Sequence, residues 1–375
     1  MKIVRIEALP FRAPREHSHA GTAGAPAPLQ QADSPYLWAA TYPVIYSKYF
    51  ETALVRVELD NGMTGWGEAQ APVAPEVACA VINHILSPVF TGSPFDGTVA
   101  EIETLWQRMY STMRVRGQTG GFMLDGIAGV DLALWDLAGQ IAGLPVASLI
   151  GAAGTSVPAY LSGLEGGNPA AAKPWVEQGF SAVKIFHESS VDQLLRNFET
   201  LRTFVPSVAV DALWRFTPAT ARKIARSLPG ALWLEAPLQP ESALDHGRLA
   251  KAAGIPLALG ESYRTTYELA PFFAAKAMQI VQPDLGRTGI TEGLRIAAAA
   301  AERGLAVVPH VSIAMGPQLA AAIHFAAAVP NCNLLEFNPN VLRVANRYLA
   351  EALTVDGPAY QVPQKPGLGI TLRAL

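Results

Sequence analysis

The sequence predicts an α/β protein organised around a β/α barrel, and three observations favour this fold. From about Ser156, short apolar runs alternate with mostly Ala-rich amphipathic segments, a pattern typical of parallel strands joined by helices. About eight such units follow one another, and no glycine-rich dinucleotide motif follows the first strand, which favours a barrel over an open sheet. Half of the 375 residues are hydrophobic and only 16% are charged, as expected for strands buried on both faces.

The N-terminal part reads as a smaller α+β unit. Strands flank an Ala/Pro/Gly-rich insertion from about Ala13 to Pro43, which we interpret as a lid, and Asn61-Gly62 is a hairpin signal. We expect Glu68, shortly after this hairpin, to be no more than a turn acid. Helical periodicity then predicts helices between about residues 75 and 143.

Composition argues against several classes of partner. The formal charge is −3, and no run of Lys or Arg is long enough to indicate nucleic acid or an anionic membrane surface. The N-terminus lacks a signal-peptide pattern, and the longest apolar segments are too short to span a bilayer. Cys79 and Cys332 lack metal-ligand spacing, so we expect reduced thiols and a cytoplasmic protein without nucleic-acid or membrane partners.

Polar side chains follow the predicted barrel strands at the points where the apolar runs stop. Because active sites of β/α barrels are built at the carboxyl ends of the strands, these are the candidate site residues. One such acid alone would be read as a helix cap, but seven consecutive units each supply one polar residue. In chain order they are Lys184, Asp211, Glu235, Glu261, Asp284, His310 and Glu336.

Three of these residues predict a metal site. Asp211, Glu235 and Glu261 close successive strands and would repel one another at the barrel mouth without a counter-charge. Oxygen-only ligands suit a hard cation, and the absence of clustered Cys or His favours Mg²⁺ over Zn²⁺. We therefore expect Mg²⁺ with coordination positions left for substrate and water.

The next two strands supply a candidate general base. Neighbouring strands lie about 4.8 Å apart, so Asp284 can accept a hydrogen bond from His310 and fix its tautomer. Glu336, on the last strand, is a candidate for binding or protonating the substrate. Lys184 is a candidate for neutralising a substrate carboxylate.

Several stretches resemble the enolase superfamily, specifically its mandelate racemase and muconate lactonizing enzyme branch. They are "AGVDLALWDLAGQIAGLPV", "GFSAVKIF", "VDALW", "WLEAPL", "LALGES", "QPDLGRTGITEG", "VVPH" and "LLEF". The resemblance implies a modified TIM barrel, (β/α)7β, with an α+β capping domain. We place the capping domain at residues 1–125, the barrel at 126–337 and a segment returning to the capping domain at 338–375.

The same resemblance implies roles for the site residues. Asp211, Glu235 and Glu261 would hold Mg²⁺, Asp284 and His310 would form the base dyad, and Glu336 would be an active-site acid or hydrogen-bond donor. Reactions of this family begin with removal of the proton α to a carboxylate, and the cation stabilises the resulting ene-diolate. The resemblance also implies a homo-oligomer.

The sequence departs from many relatives at two positions. Their second barrel strand carries Lys-x-Lys, whose second lysine is a base facing the histidine, whereas this chain has Phe186 there. An asparagine often follows the metal-binding aspartate by two residues, and here that residue is Leu213. The second base is therefore missing, and substrate contacts must differ.

We therefore predict a Mg²⁺-dependent dehydratase of a sugar acid, an aldonate or an aldarate, giving a 2-keto-3-deoxy acid. One histidine can take the α-proton and return it to the departing β-hydroxyl. The enzymatic alternative is a racemase or epimerase in which Lys184 and His310 are opposed bases. An alternative of another class is a metal-stabilised barrel without catalytic activity.

A further set of residues is expected to contact the substrate. Lids choose the distal part of a substrate in this architecture, which makes His17, His19 and Lys48 candidates. Phe186 is a candidate because it stands where relatives carry the second base. The identity and stereochemistry of the sugar acid depend on lid geometry, which the residues do not specify.

Overall fold

The computed structural model of the chain describes residues 1–15, 34–38, 44–152, 154–164, 168–187 and 190–373. Its N-terminal part contains two antiparallel sheets. The five strands are β1 (Ile3–Pro14), β2 (Tyr36–Trp38), β3 (Ile45–Ser47), β4 (Tyr49–Leu59) and β5 (Thr64–Ala69). The larger sheet has the order β1-β4-β5, and β2 pairs with β3. The predicted hairpin is confirmed: β4 and β5 are joined by a turn in which Gly62 has φ 87°.

Helices follow the sheet, as the periodicity predicts. They are α1 (Pro75–Val81), α2 (Ser87–Phe90), α3 (Val99–Arg114), α4 (Gly121–Ala142) and α5 (Val146–Leu149), with a π-helical turn at Ile82–Leu86. The middle of α4 is buried on all sides because it packs against β5 and the barrel helices. None of the helices in the described residues is both long and apolar enough to cross a membrane.

Eight parallel strands form the barrel. They are β6 (Ser156–Leu161), β7 (Ala182–Phe186), β8 (Ser207–Asp211), β9 (Leu234–Glu235), β10 (Leu257–Leu259), β11 (Ile280–Val281), β12 (Ala306–Val307) and β13 (Leu335–Phe337). Consecutive strands pair in parallel from β6 to β12, and β13 returns to pair with β6. A parallel bridge between Val307 and Cys332 completes the circle. The predicted α/β fold, a modified TIM barrel beside a capping domain, is confirmed.

Helices surround the barrel between its strands. They are α6 (Lys173–Glu177), α7 (Val191–Arg202), α8 (Pro218–Arg226), α9 (Ala243–Ala252), α10 (Thr266–Ala274), α11 (Leu285–Ala301) and α12 (Pro317–Ala328). Several begin at a side-chain cap, such as Ser190 for α7 and Thr217 for α8. Thr265 and Glu268 form a reciprocal capping box at α10. Each cap stabilises its helix by about 1 kcal/mol because it satisfies a free backbone N–H group.

The barrel interior changes character along its axis. Its lower layer is apolar and consists of Tyr160, Ala182, Ala209, Trp233, Ala258, Ile280 and Val308. Because side chains alternate along a strand, the residues two positions later point into the same interior one layer higher. There the chain carries Lys184 after Ala182, Asp211 after Ala209, and Glu235 after Trp233. An apolar floor therefore supports a charged layer at the barrel mouth.

The C-terminal segment contacts several parts of the molecule. It contains α13 (Pro339–Arg347), β14 (Val355–Asp356) and β15 (Ala359–Gln361). Strand β15 pairs antiparallel with β6, and the Leu368 N–H donates to Asp136 of α4 over 2.8 Å. Tyr348 packs edge-on against Phe11 of β1. The segment thus joins the barrel to the N-terminal region, and the three domain boundaries given above stay predictions.

The packing of β5 on α4 requires glycine. A Cβ atom at Gly67 would lie 2.0 Å from the Gly129 carbonyl oxygen. We expect Gly67→Ala to lower the free energy of unfolding by about 1–3 kcal/mol, the usual cost of overpacking. Gly154→Ala is the control, because its Cβ would have no neighbour closer than 3.8 Å. Urea unfolding of both variants measures the effect, and equal stabilities would contradict this packing.

Candidate active site

Lys184 lies at the centre of the charged layer and is fully buried. Its Nζ donates to Glu235 Oε1 over 2.7 Å and lies 3.0 Å from Glu336 Oε1. Asp211 Oδ2 is 3.9 Å from the same nitrogen. Burial alone would lower the pKa of Lys184, but the carboxylates of Glu235 and Glu336 outweigh it and raise the pKa well above its ordinary value. Lys184 is therefore a charged lysine that holds neighbouring carboxylates together.

The parallel register places two of the predicted metal-binding carboxylates side by side. Asp211 pairs with Glu235 across β8 and β9, and both are buried. The Leu213 N–H donates to Asp211 Oδ1 over 2.8 Å. Burial and the charges of Glu235 and Glu261 raise the pKa of Asp211 well above its usual range. This rise reflects the cost of holding acidic groups together with too little positive charge.

Glu235 is surrounded by further donors. Besides the lysine bond to Oε1, its Oε2 accepts from Trp233 Nε1 over 2.9 Å and from Gln282 Nε2 over 2.8 Å. Trp233 and Gln282 are both buried. These bonds fix the orientation of the carboxylate, because Oε1 accepts from Lys184 and Oε2 accepts from two further donors.

Glu261 faces the site although the two-residue alternation of side chains along β10 would turn it away from the barrel interior. It follows Gly260, which has φ 152° and whose Cβ would lie 2.4 Å from the Gln282 backbone nitrogen. Only glycine fits this backbone without strain or displacement. Glu261 Oε1 then accepts from Trp214 Nε1 over 2.6 Å. Trp214 and Leu213 both have positive φ, so an unusual turn after β8 delivers the indole to this carboxylate.

His310 and Asp284 form the predicted pair. His310 Nδ1 lies 2.8 Å from Asp284 Oδ2, and the two residues form a parallel bridge at the ends of β11 and β12. Since an ionised carboxylate only accepts, Nδ1 carries the proton of this bond. The other ring nitrogen, Nε2, lies 2.9 Å from Glu261 Oε2 and so faces the site. Burial alone would favour neutral imidazole, but Glu261 and Asp284 outweigh it and raise the pKa of His310 well above its ordinary value.

The donor atoms that lie closest together come from Glu235, Glu261 and His310. One ligand atom from each falls within 4.8 Å of the others. Asp211, predicted as a third ligand, lies beside Glu235 but outside this set. The oxygens of Asp211, Glu235 and Glu261 nevertheless fit a hard divalent cation by their chemistry. The excess of negative charge in the layer fits it as well.

Glu336 closes the last strand and faces the same layer. It is 3% exposed, and its Oε2 accepts from the Val311 N–H over 3.1 Å, while its Oε1 faces Lys184. It therefore ties the segment after β12 to the lysine. This arrangement favours an ionised carboxylate that accepts hydrogen bonds.

The remaining predicted residues are placed differently. Phe186 lies at the end of β7, where Lys184 Nζ is 5.3 Å from its ring centroid, so it borders the site. Lys48 is exposed between β3 and β4 and forms no salt bridge with an acidic residue of the described segments. His17 and His19 lie outside the described residues, as does most of the predicted lid.

Two residues near the base were missed or misread from sequence. Glu68 is not a turn acid: it lies in β5, is fully buried, and accepts from the Met315 and Gln318 N–H groups over 2.7 and 3.0 Å. Burial raises the pKa of Glu68 to about 7, although these backbone bonds oppose the rise. Gln318 Nε2 in turn donates to Asp284 Oδ1 over 2.8 Å. No sequence motif signals either contact, since the partners are far apart in the chain.

Comparison with known proteins identifies the class. A family described as Enolase C-terminal domain-like matches residues 169–374. The Mandelate racemase / muconate lactonizing enzyme N-terminal domain matches residues 46–151. The chain belongs to the enolase superfamily, in its mandelate racemase and muconate lactonizing enzyme branch. Members of this superfamily are enzymes and use Mg²⁺.

Individual relatives are similar over most of their length. D-galactarolactone cycloisomerase from Agrobacterium fabrum is 30% identical over 342 residues, covering 85% of this chain and 88% of that protein. Arabinonate dehydratase from Saccharolobus solfataricus is 30% identical over 338 residues, covering 86% and 88%. An enolase superfamily member from Agrobacterium tumefaciens superposes with a TM-score of 0.92 at 30% identity, covering 99% of this chain and 97% of that one.

The balance of charge around Lys184 gives a prediction. Lys184→Met leaves the carboxylates of Glu235, Glu336 and Asp211 without their shared cation. We expect the free energy of unfolding to fall by about 3–5 kcal/mol in metal-free buffer at neutral pH, as for other broken buried ion pairs. Urea unfolding measures it, with Lys173→Met as the control, because Lys173 is exposed on α6. If the free energy of unfolding falls no more than in the control, Lys184 does not offset the negative charge of these carboxylates.

Proposed function

We propose that this protein is a Mg²⁺-dependent dehydratase of a sugar acid, an aldonate or an aldarate. His310 removes the proton α to the substrate carboxylate, and the β-hydroxyl then departs to give a 2-keto-3-deoxy acid. The observation that carries the proposal is the orientation of His310. Asp284 holds Nδ1, so the nitrogen that faces the charged layer is Nε2.

The pair Asp284–His310 supplies the features that a general base needs. In the structure Nε2 lies 2.9 Å from Glu261 Oε2, a contact that favours the protonated ring. With Glu261 engaged by a cation, the ring could be neutral, and because Asp284 keeps the proton on Nδ1, its lone pair would lie on Nε2, facing the substrate carbon. The negative charge of Asp284 stabilises the imidazolium that forms once the proton is taken. His310 keeps 14% of its side chain exposed, whereas Asp284 is buried, so only the histidine is accessible.

Asp211, Glu235 and Glu261 are the residues proposed to hold the cation. A bound Mg²⁺ would stabilise the negative charge that builds on the substrate carboxylate as the α-proton leaves. Trp233, Gln282 and Trp214 hold two of these side chains in place by hydrogen bonds to Glu235 and Glu261. Lys184 is proposed to offset part of the negative charge of the same layer and not to contact the substrate carboxylate, because its Nζ is fully buried and paired with Glu235 and Glu336.

The elimination balances with one histidine. His310 takes the α-proton, and the electrons of the C–H bond enter the carboxylate as an ene-diolate. When these electrons form the double bond between the α- and β-carbons, the C–O bond at the β-carbon breaks. The proton on Nε2 passes to the departing hydroxyl, which leaves as water. The resulting enol tautomerises to the keto acid, and His310 is neutral again.

The position of Lys184 supports elimination over epimerisation. A second base must be neutral and free to reach the opposite face of the α-carbon, whereas Lys184 Nζ is held by Glu235 and Glu336 in a fully buried position. Phe186, at the end of the same strand, has no basic group. With one candidate base on one face in the described part of the chain, a reaction that returns the proton to a leaving group is favoured.

A second candidate function is a cycloisomerase acting on a sugar-acid lactone. The relative with this name is as similar to the chain as the dehydratase, at 30% identity. The same first step would serve it, because removal of an α-proton can expel a ring carboxylate from the β-carbon as readily as a hydroxyl. The product then retains all its oxygens, which separates this reaction from dehydration. We propose that either reaction takes place in a homo-oligomer on a small-molecule acid.

The first test of the proposal is a substrate panel. The purified protein with Mg²⁺ is incubated with aldonates, aldarates and their lactones of four to six carbons, and keto acids are measured by a colorimetric assay and mass spectrometry. We expect one stereochemical series to lose water. His310→Asn should slow it by about 10²–10⁴-fold, the usual contribution of a general base.

His324→Asn is the matched control, because His324 is buried in α12 and bonds to Ala147 and Leu368 rather than to the site. A His310→Asn protein that keeps the full dehydration rate would overturn the assignment. Lactone opening without loss of water would instead indicate the cycloisomerase reaction.

Removal of metal tests the carboxylate set. We expect chelation by EDTA to abolish keto acid formation and added Mg²⁺ to restore it. In calorimetric titrations, Asp211→Asn should weaken Mg²⁺ binding at least about 10–100-fold, because even residues that only orient ligands have effects of this size. Asp245→Asn is the control, because Asp245 is a partly exposed acid of α9 that bonds to Ser242 and Arg248 and not to the site. Unchanged Mg²⁺ affinity in Asp211→Asn would remove Asp211 from the ligand set.

A further inference from the structure

We propose that Glu68 of the capping domain is a positioning residue for the base, acting through the start of α12 and through Gln318. This inference rests on the proposed role of His310 and Asp284. Glu68 does not contact either residue. It holds the backbone segment from which the side chain of Gln318 reaches the dyad.

The first link is a helix cap supplied from another part of the chain. The residue before α12, Gly316, has no side chain with which to bond the free N–H groups of the first turn. Glu68 takes that place, because its Oε2 accepts from the Gln318 N–H in the first turn and its Oε1 accepts from the Met315 N–H just before the helix. A carboxylate at a helix N-terminus is also favoured by the helix dipole. Since Glu68 is fully buried, no water replaces these bonds.

The second link runs from α12 to the dyad. Gln318 is 1% exposed and its Nε2 donates to Asp284 Oδ1, the oxygen that does not face the histidine. The Gly286 N–H donates to the same oxygen over 3.0 Å. A Cβ on Gly286 would lie 2.3 Å from Gln318 Oε1, so the amide group of Gln318 occupies space that only glycine leaves open.

The third link runs from the end of β5 to Gly286, which bonds to Asp284. The Gln70 N–H, two residues after Glu68 on the chain, donates to the Gly286 carbonyl oxygen over 2.9 Å. The end of β5 therefore holds both the first turn of α11 and the start of α12. With Oδ1 fixed by Gln318 and Gly286, Oδ2 has one direction left, toward His310 Nδ1. The orientation of the histidine is thus set by contacts that begin in the capping domain.

The chain contains a matched control. Asp136 is also a buried carboxyl group that accepts two backbone N–H groups, from Trp66 of β5 and from Leu368. It joins β5 to the C-terminal segment rather than to the base. Asp136→Asn should therefore show the effect of disturbing two such backbone hydrogen bonds while leaving the Asp284–His310 pair unchanged.

The experiment compares Glu68→Gln with Asp136→Asn and with Gln318→Met. In Glu68→Gln one oxygen becomes an NH₂ group, which faces a backbone donor and cannot accept from it. Gln318→Met removes only the donor to Asp284 and keeps a side chain of similar size. With the panel substrate that the wild type dehydrates, we expect kcat to fall about 10–100-fold in both variants while KM stays within about twofold. Asp136→Asn should keep both constants.

A second readout does not need a substrate. The proton on His310 Nδ1 is identified in the NMR spectrum as the downfield imidazole signal that His310→Asn lacks. We expect it to exchange with water at least about tenfold faster in Glu68→Gln and Gln318→Met, because Asp284 is less firmly held, and at the wild-type rate in Asp136→Asn.

The outcomes separate the two proposals. If no panel compound reacts with the wild type, the proposed function fails, and the exchange of the His310 proton still decides the role of Glu68. If Glu68→Gln does not fold, Gln318→Met tests the same path. Wild-type kcat and proton exchange in Gln318→Met, or changes as large in Asp136→Asn as in Glu68→Gln, would overturn the positioning role.

Discussion

The structure of the site depends on the crowding of carboxylates at one end of the barrel. Among the residues that the structure describes, this layer contains one lysine, Lys184, and one histidine, His310, beside the five carboxylates of Asp211, Glu235, Glu261, Asp284 and Glu336. Desolvated charges of one sign are costly unless each is paired and hydrogen-bonded. The layer meets this requirement with fixed donors, including two indoles and an amide, and with Lys184 at its centre. Its remaining excess of negative charge would be offset by a divalent cation, to which the carboxylate of a substrate could bind.

The capping domain contributes to this site through the end of strand β5. Strand β5 packs on α4 by the close approach of Gly67 to Gly129, which brings the end of the strand against the turns that carry Asp284 and Gln318. Glu68 and Gln70 then bond to those turns. A strand that lies outside the barrel therefore takes part in holding the proposed base. The geometry of the proposed base therefore depends on residues of both the capping domain and the barrel.

The sequence predicted the barrel and its strand-end residues because both follow from local rules. Apolar runs mark strands, and in a parallel barrel the residue at which each run stops must lie at one common end. The same two-residue alternation could also have indicated Trp233 and Gln282, which precede Glu235 and Asp284 by two positions. The contacts of Glu68 with Met315 and Gln318 could not be predicted, since they join residues about 250 positions apart through burial and backbone geometry alone. The turn that brings Trp214 to Glu261 requires positive φ at two non-glycine residues, for which the chain has no local signal.

The central claim is that His310 alone acts as the base, on one face of the α-carbon. It is tested most directly by incubating the substrate with the protein in D₂O and determining the α-deuterium content and configuration of the unreacted acid by NMR. We expect deuterium only with retained configuration, and none with His310→Asn. Deuterium in an acid of inverted configuration would require a second base and would contradict the role of His310 as the one base, as would undiminished exchange by His310→Asn.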